Sequence, residues 1–361
     1  MGILDIFTGK KKSKSVIGVD IGSSSLKVVQ LRREGGTAVL ENYGELALGP
    51  YAGSEVGTAT NLSADKISEA LVDLLREVGI TTTDAGISIP FSRSLLTLVE
   101  LPRRDNAEEQ KTIISLEARK YIPVPVTEVQ LDWFIVPEPL PEGSEQSRKV
   151  KVLLVAVHND ELALLQSVVT AAKLDATFYE IEIFSTIRSV VDEPVKPVMV
   201  LDIGASATKV YVVERGVVAV SHNIRGGGQD MTRAISAAHN LAMPTAELQK
   251  KEFGLGNGTA SYDRATIEGV FSRIFEEAKR VMVQYETAHN KAVSALMLTG
   301  GGGVTKDLAV YAKTFFSVDV RVADPFAKTA APAFMRPVLS EIGPEFAVAV
   351  GLALRKLEEL E

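Results

Sequence analysis

Residues 20–28 read DIGSSSLKV, and residues 202–210 read DIGASATKV. The two segments are identical at six positions, which include the aspartate, the glycine, one serine and the lysine. Runs of β-branched residues flank both segments, a pattern that is typical of two strands joined by a tight polar turn. The copies lie about half of the 361-residue chain apart. The sequence therefore predicts two related domains that each begin with the same hairpin.

The turn of each hairpin carries residues that suit a phosphate group. A glycine lets the backbone approach a ligand closely or adopt a positive φ, and the small residues after it supply backbone N–H groups and hydroxyls. The predicted phosphate contacts are Gly22, Ser23, Ser24, Ser25, Gly204, Ala205 and Ser206. For a single copy, an ordinary hairpin turn would be as good an interpretation, but the duplication disfavours it.

Charged residues stand at matching places in the two hairpins. Asp20 and Asp202 directly precede the turns, where two facing carboxylates could hold a hydrated Mg²⁺. Lys27 and Lys209 follow the turns on the return strands. The pattern leaves two alternatives open for these lysines: they reach a phosphate, or they cover a solvated face of the sheet.

A third glycine segment follows a predicted buried strand at residues 295–298. The loop contains Gly300, Gly301, Gly302 and Gly303, and a helix with Thr305 as its N-cap is expected after it. Strand, glycine loop and helix in this order are how α/β proteins approach a nucleotide. The chain has no GxxxxGK[ST] sequence, which excludes a P-loop.

Composition excludes several classes of protein. The length suggests two or three domains, and 46% hydrophobic with 24% charged residues is the balance of a globular protein. A formal net charge of −7 argues against nucleic acid as the main partner. The lack of cysteine removes disulfides and thiolate chemistry, and the four histidines do not have the spacing of metal ligands.

The first fourteen residues combine apolar side chains with a run of lysines. A flexible basic tail and a short amphipathic segment that touches an anionic membrane or a partner are both open interpretations. No apolar run approaches the ~20 residues that a membrane-spanning helix needs.

In their order and spacing, the three glycine segments resemble the actin-like ATPase superfamily. Tyr179–Glu182 and Ala347–Ala353 resemble its two connecting helices. The resemblance implies a two-domain α/β fold of the ribonuclease H-like type, closed around a nucleotide cleft, with ATP and Mg²⁺ as cofactors.

Further segments resemble the PilM family of type IV pilus assembly proteins. These are EARKYIPVP at residues 117–125, EVQLD at 128–132, VADPF at 322–326 and IGPEFAVA at 342–349, with Asp324 where the family usually has asparagine. The family implies a small α/β subdomain inserted at residues 86–158. Residues 15–85 and 159–195 would then form the first domain and residues 196–361 the second.

The resemblance also implies roles for other side chains. Glu276, Lys279 and Arg280, on a predicted helix at 265–288, would face ribose and base, although a solvated helix face is the alternative. Gly226, Gly227 and Gly228 would form a turn beside the phosphates. Glu182 falls where the superfamily often places the carboxylate that activates water, but it could equally cap a helix dipole. Slow or absent ATP hydrolysis is expected.

The family also implies a cytoplasmic scaffold that binds the N-terminal cytosolic peptide of PilN and is held at the inner membrane through that partner. Other platform or motor proteins are further implied partners. The apolar turn at Tyr121, Ile122, Pro123 and Val124 is the candidate peptide contact, with packing of a helix end as the alternative. Self-association stays open. A division scaffold like FtsA and a small-molecule kinase are the competing functions. The acidic C-terminal residues 354–361 argue against the first, and no additional aspartate motif supports the second.

Overall fold

The computed structural model describes residues 15–137, 148–192, 195–256, 262 and 264–360. The residues of the proposed N-terminal tail lie outside this part of the chain. The strands that it describes are β1 (Ser15–Ile21), β2 (Ser25–Glu34), β3 (Thr37–Ala47), β4 (Asp84–Ile89), β5 (Ser94–Pro102), β6 (Val129–Ile135), β7 (Lys149–His158), β8 (Asp175–Ile181), β9 (Val198–Ile203), β10 (Ala207–Glu214), β11 (Val217–Arg225), β12 (Ala295–Thr299) and β13 (Asp319–Val322).

Two five-stranded sheets repeat one topology. Their orders are β3-β2-β1-β4-β8 and β11-β10-β9-β12-β13. In each sheet three consecutive strands pair antiparallel, and two further strands then add in parallel to the free side of the first. The duplication predicted from the two hairpins is therefore confirmed at the level of whole sheets, and so is the two-domain α/β fold.

Helices cover the sheets and join them. They are α1 (Ala64–Val78), α2 (Ala107–Ala118), α3 (Asn159–Ala171), α4 (Glu182–Val190), α5 (Gly228–His239), α6 (Met243–Phe253), α7 (Arg264–His289), α8 (Leu308–Ala312), α9 (Arg336–Ile342) and α10 (Ala347–Glu358). The predicted helix at 265–288 is α7, whose buried stripe packs into the core of the second domain.

A third sheet, β5-β7-β6, forms the inserted subdomain together with α2. Asn106 caps α2 by accepting the backbone N–H groups of Glu108 and Glu109. The expected start of the insert at residue 86 falls inside β4, which pairs with β1 and β8 of the first sheet. The three-stranded sheet begins at Ser94, after a short 3₁₀ turn at Phe91–Arg93.

The two connecting helices, α4 and α10, pack against each other between the domains. The first begins at Glu182, so Tyr179–Ile181 belong to β8 and not to the helix as expected. The contact point is Gly351, where an added Cβ would lie 1.8 Å from the carbonyl oxygen of Ser185. Glu180 ties the pair together, because its carboxylate accepts Arg188 and Arg355 at 2.7–2.9 Å.

Residues Ala333–Glu358 are long and apolar enough to cross a membrane by length and composition, which the sequence analysis did not anticipate. In the fold, 61% of the 18-residue apolar stretch within this segment is buried. Its final segment, α10, packs on β1, β2 and α4, so the apolar composition is accounted for by the core.

Replacing Gly351 by alanine should destabilise the protein by about 1–3 kcal/mol, because the methyl group has to push the two connecting helices apart. Gly269, on the exposed side of α7, is the matched control, because an added Cβ there would meet open space. Gly269→Ala should instead stabilise by up to about 1 kcal/mol through helix propensity. Chemical denaturation of both variants measures the two changes, and effects of equal sign would contradict the packing argument.

Candidate functional site

The turns of the two duplicated hairpins meet between the domains. The Ser206 hydroxyl donates to the Ser23 hydroxyl at 3.1 Å. Each turn closes in the same way: the Gly22 N–H donates to the Ser25 carbonyl at 3.1 Å, and the Gly204 N–H donates to the Ala207 carbonyl at 3.0 Å. Neither glycine has a positive φ. A Cβ at these positions would lie only 2.9–3.0 Å from the accepting carbonyl, so the tightness of the turn favours glycine.

A cavity of about 820 Å³ opens beside these turns. Its volume is within the range of sites that hold a small molecule or cofactor. Most of the predicted site residues line it, namely Asp20, Gly22, Ser23, Ser24, Ser25, Lys27, Glu182, Asp202, Gly204, Ala205, Ser206, Lys209, Gly228, Gly300, Gly301 and Gly302. The structure thus brings together segments that are far apart in the sequence.

Gly226, Gly227 and Gly303 do not line the cavity but support its loops, together with Gly228, which does line it. An added Cβ on Gly227 would lie 2.4 Å from the carbonyl oxygen of Gly204, so this glycine permits direct contact between two backbones. The Gly228 N–H donates to the same carbonyl at 2.9 Å. Gly226 precedes this contact, and Gly303 packs on the carbonyl of Thr299 at the other glycine loop. These positions hold the cavity wall in shape.

Both lysines line the cleft, and their contact with a phosphate stays a prediction. The Lys209 ammonium contacts Glu182 at 2.7 Å and Asp202 at 3.2 Å. Burial alone would lower the pKa of Lys209, but attraction by Asp202 and Glu182 raises it above its ordinary value. Lys27 contacts Glu45 at 2.9 Å and donates to the Ser25 hydroxyl at 2.7 Å. Each hairpin therefore carries one partly buried cation.

Asp20 is a carboxylate of the cleft whose negative charge is incompletely neutralised. Desolvation is the main cause that raises the pKa of Asp20 from 3.8 to about 6, and repulsion from Glu182 is the second. The Ser88 hydroxyl donates to Asp20 at 3.0 Å and opposes this rise only in part. A divalent cation would neutralise the negative charge of Asp20, so this carboxylate fits the expected Mg²⁺. Within the described ranges no cluster of three or more His, Cys, Asp or Glu residues is arranged to hold a metal. Waters and ligand phosphates would have to complete its coordination.

Glu182 occupies both of its oxygens. Oε1 accepts the backbone N–H of Phe91 at 2.7 Å, and Oε2 holds the Lys209 ammonium at 2.7 Å. The side chain is buried at the first residue of α4. In this arrangement each of its oxygens already accepts one donor, so the side chain fixes its neighbours.

The expected nucleoside contacts on α7 stay a prediction, and their side chains do not line this cavity. Glu276, Lys279 and Arg280 are exposed and lie outside the cavity, and the Lys279 ammonium donates to the Phe315 carbonyl at 3.0 Å. The apolar stripe of α7 turns toward the core, which directs these three side chains away from the cleft.

The cleft is instead lined by three side chains of α6, which the sequence analysis missed. Glu247, Lys250 and Lys251 all face the cavity. Lys250 is fixed by Glu247 at 2.6 Å and by the Thr232 hydroxyl at 3.0 Å. Gly57, from the first domain, approaches Glu247 from the opposite side. The available signal was an acidic residue followed by basic residues three and four positions later, one face of a short polar helix.

Two smaller expectations also need correction. Thr305 does not cap a helix: its hydroxyl donates to the Gly302 carbonyl at 2.7 Å, and α8 begins only at Leu308. In the candidate peptide turn, Ile122 is buried in the core of the insert and Val124 is partly buried against it, while Tyr121 and Pro123 are exposed. Ile122 therefore follows the alternative interpretation, the packing of a helix end.

Comparison with known proteins places this architecture among relatives. The family model of the type IV pilus assembly protein PilM matches residues 18–357. A solved PilM–PilN type IV pilus biogenesis complex contains a chain that is 25% identical, with a TM-score of 0.80 over 95% of this chain and 98% of that one.

Two more distant structures share the fold. The ethanolamine utilization protein EutJ from Carboxydothermus hydrogenoformans is 16% identical, with a TM-score of 0.53 over 94% of this chain and 89% of its own. MreB 5 of Spiroplasma citri bound to AMPPNP is 12% identical, with a TM-score of 0.51 over 96% and 98% of the two chains. Both confirm the actin-like fold.

The raised pKa of Asp20 predicts a pH dependence of stability. Because the folded protein binds this proton more tightly than the unfolded chain, Asp20 stabilises the fold at acidic pH, and that advantage is lost as the pH rises from about 4 through about 6. Asp20→Asn should therefore be more stable than the parent at pH 7, by up to about 3 kcal/mol, with the difference shrinking toward pH 4.

Thermal or urea unfolding between pH 4 and pH 7 measures this difference. Asp192→Asn is the control, because the Asp192 side chain is 80% exposed and lies outside the cleft. A gain from Asp20→Asn that does not grow with pH would contradict the prediction.

Proposed function

This chain belongs to the family of the type IV pilus assembly protein PilM, and we propose that it is an ATP-binding scaffold of the pilus assembly platform at the cytoplasmic face of the inner membrane. The observation that carries the proposal is the meeting of two duplicated glycine turns over one large cavity. Backbone N–H groups on both sides, with one lysine from each hairpin, form a surface that suits a polyphosphate.

ATP is proposed to lie with its phosphates between the turns at Gly22 and Gly204 and its nucleoside toward α6. Asp20 and Asp202 would hold Mg²⁺ through water, and the cation would neutralise the phosphate oxygens. Gly300, Gly301 and Gly302 line the same cavity from the second domain and leave room for the ligand. The known nucleotide complex of the structurally similar MreB 5 supports ATP as the ligand of this fold.

Hydrolysis is proposed to be slow or absent. Activation of a water requires a positioned group that can accept a proton. Glu182, the candidate for that group, is fixed at the start of α4 by the Phe91 N–H, whether or not Lys209 turns toward phosphate. The bound nucleotide would therefore act mainly by fixing the relative arrangement of the two domains, as suits a scaffold.

Lys251→Ala should weaken ATP binding by about tenfold, because Lys251 lines the cavity and a charge-assisted contact is worth about 1.5 kcal/mol. Arg280→Ala is the matched control from α7 and should leave the affinity unchanged. Calorimetry with Mg-ATP measures both. Equal losses in the two variants, or a loss only for Arg280→Ala, would contradict the placement of the nucleoside at α6.

The proposed protein partner is the N-terminal cytosolic peptide of PilN. The solved complex of a similar PilM chain with PilN supports this partner. The peptide is proposed to bind between the insert and the first domain, near the exposed Tyr121 and Pro123. Through that partner the protein would be held at the membrane, where its remaining surface would be free to meet other platform or motor proteins and further copies of itself.

Tyr121→Ala should weaken binding of a synthetic PilN peptide of ~15 residues without unfolding the insert, because the Tyr121 side chain is 42% exposed. Ile122→Ala should instead lower the free energy of unfolding by about 2–5 kcal/mol, since Ile122 belongs to the core of the insert. Calorimetry with and without Mg-ATP, together with denaturation curves, separates the two effects. Peptide affinity that is unchanged by Tyr121→Ala would remove this turn from the proposed interface.

A further inference from the structure

The start of the inserted subdomain is joined to the floor of the cleft by a short chain of polar contacts. Lys209 lies in the second domain and holds Glu182 at 2.7 Å. Glu182 begins the connecting helix α4 and accepts the N–H of Phe91 at 2.7 Å. Phe91 opens the 3₁₀ turn that leads directly into β5 of the insert. One carboxylate therefore bonds to the cleft with one oxygen and to the insert with the other.

We propose that Glu182 is a positioning residue that couples the state of the nucleotide cleft to the start of the inserted subdomain. The inference rests on the proposed binding of a nucleotide. It goes beyond that binding because it names the contact through which the partner-binding part of the molecule would sense the ligand.

The physical reason lies in the competition for Lys209. Its ammonium is shared between Glu182 and Asp202, at 2.7 and 3.2 Å. A phosphate oxygen that enters the cleft is a third anionic acceptor for the same ammonium. As Lys209 turns toward phosphate, Glu182 keeps the Phe91 N–H as its remaining partner. A carboxylate that is less neutralised is a stronger hydrogen-bond acceptor, so the bond to Phe91 strengthens.

The turn at the start of the insert is packed and hydrogen-bonded, so a change in the bond to the Phe91 N–H would affect the residues beside it. The Phe91 side chain is buried in the main core, which also contains Leu96 of β5. The Ser94 hydroxyl donates to the Phe91 carbonyl at 3.0 Å. A firmer hold on the Phe91 N–H therefore restricts the turn and the first residues of β5 together.

Hydrogen exchange of the full-length protein tests the proposal, with and without saturating Mg-ADP or Mg-ATP. Nucleotide should slow exchange of the Phe91 amide and of the adjoining residues up to Ser94. In Glu182→Gln, whose amide oxygen can still accept Phe91 but whose charge is gone, this slowing should be lost. Saturation keeps changes of affinity out of the comparison.

Ser94→Ala is the matched control. It loosens the same turn by removing the bond to the Phe91 carbonyl, yet Ser94 does not line the cavity. Exchange without nucleotide should rise in this variant, while the nucleotide-dependent slowing persists. Lys209→Gln provides a second test if Glu182→Gln fails to fold, and it too should lose the slowing.

The outcomes separate this inference from the proposed function. Failure of the parent protein to bind either nucleotide in calorimetry would overturn both. Saturable binding with unchanged exchange at Phe91 would overturn the coupling alone, as would a nucleotide-dependent slowing that survives in Glu182→Gln or in Lys209→Gln.

Discussion

The turns at Gly22 and Gly204 can meet across the cleft only because several backbone segments approach one another without side chains between them. Gly227 contacts the carbonyl of Gly204 directly, and a Cβ on Gly18 would lie 2.0 Å from the carbonyl of Ala349 in α10. Any side chain at these points would separate the domains or displace a loop. The cavity, its two partly buried lysines and its carboxylates all take their positions from these contacts.

The duplication has not produced two equivalent halves. Lys27 and Lys209 occupy matching sequence positions, yet Lys27 pairs with Glu45 on the neighbouring strand of its own sheet. Lys209 pairs with Glu182, which begins the helix that leaves the first domain. The first pair is therefore internal to one domain, whereas the second joins two. Identical local chemistry thus stabilises one domain in the first repeat and links the two domains in the second.

Sequence patterns predicted the features that local periodicity determines. The hairpins, the duplicated domains and α7 follow from β-branched runs and from a buried stripe, and the structure agrees. The polar contacts between elements could not be predicted from the sequence, because the packing of distant segments decides the partners of Lys209. The cleft residues of α6 were missed for a related reason: acidic and basic residues at helical spacing occur on both α6 and α7, and only the packed fold decides which of them line the cavity. Likewise, Ile122 looks exposed in sequence but packs beneath its own helix.

The position of the insert gives the cleft a mechanical consequence. Leu96 and Leu153 from its sheet share one core with Val213 and Val218 of the second domain and with residues of the first. Because close-packed interiors transmit displacement and do not absorb it, a rotation of one domain against the other has to be accommodated at this shared core. The insert is therefore held by both domains, and a nucleotide bound as proposed, between the two glycine turns, would act on the same boundary. A scaffold would need no rapid turnover to use such an arrangement, since occupancy of the cleft alone would set the geometry that the insert presents.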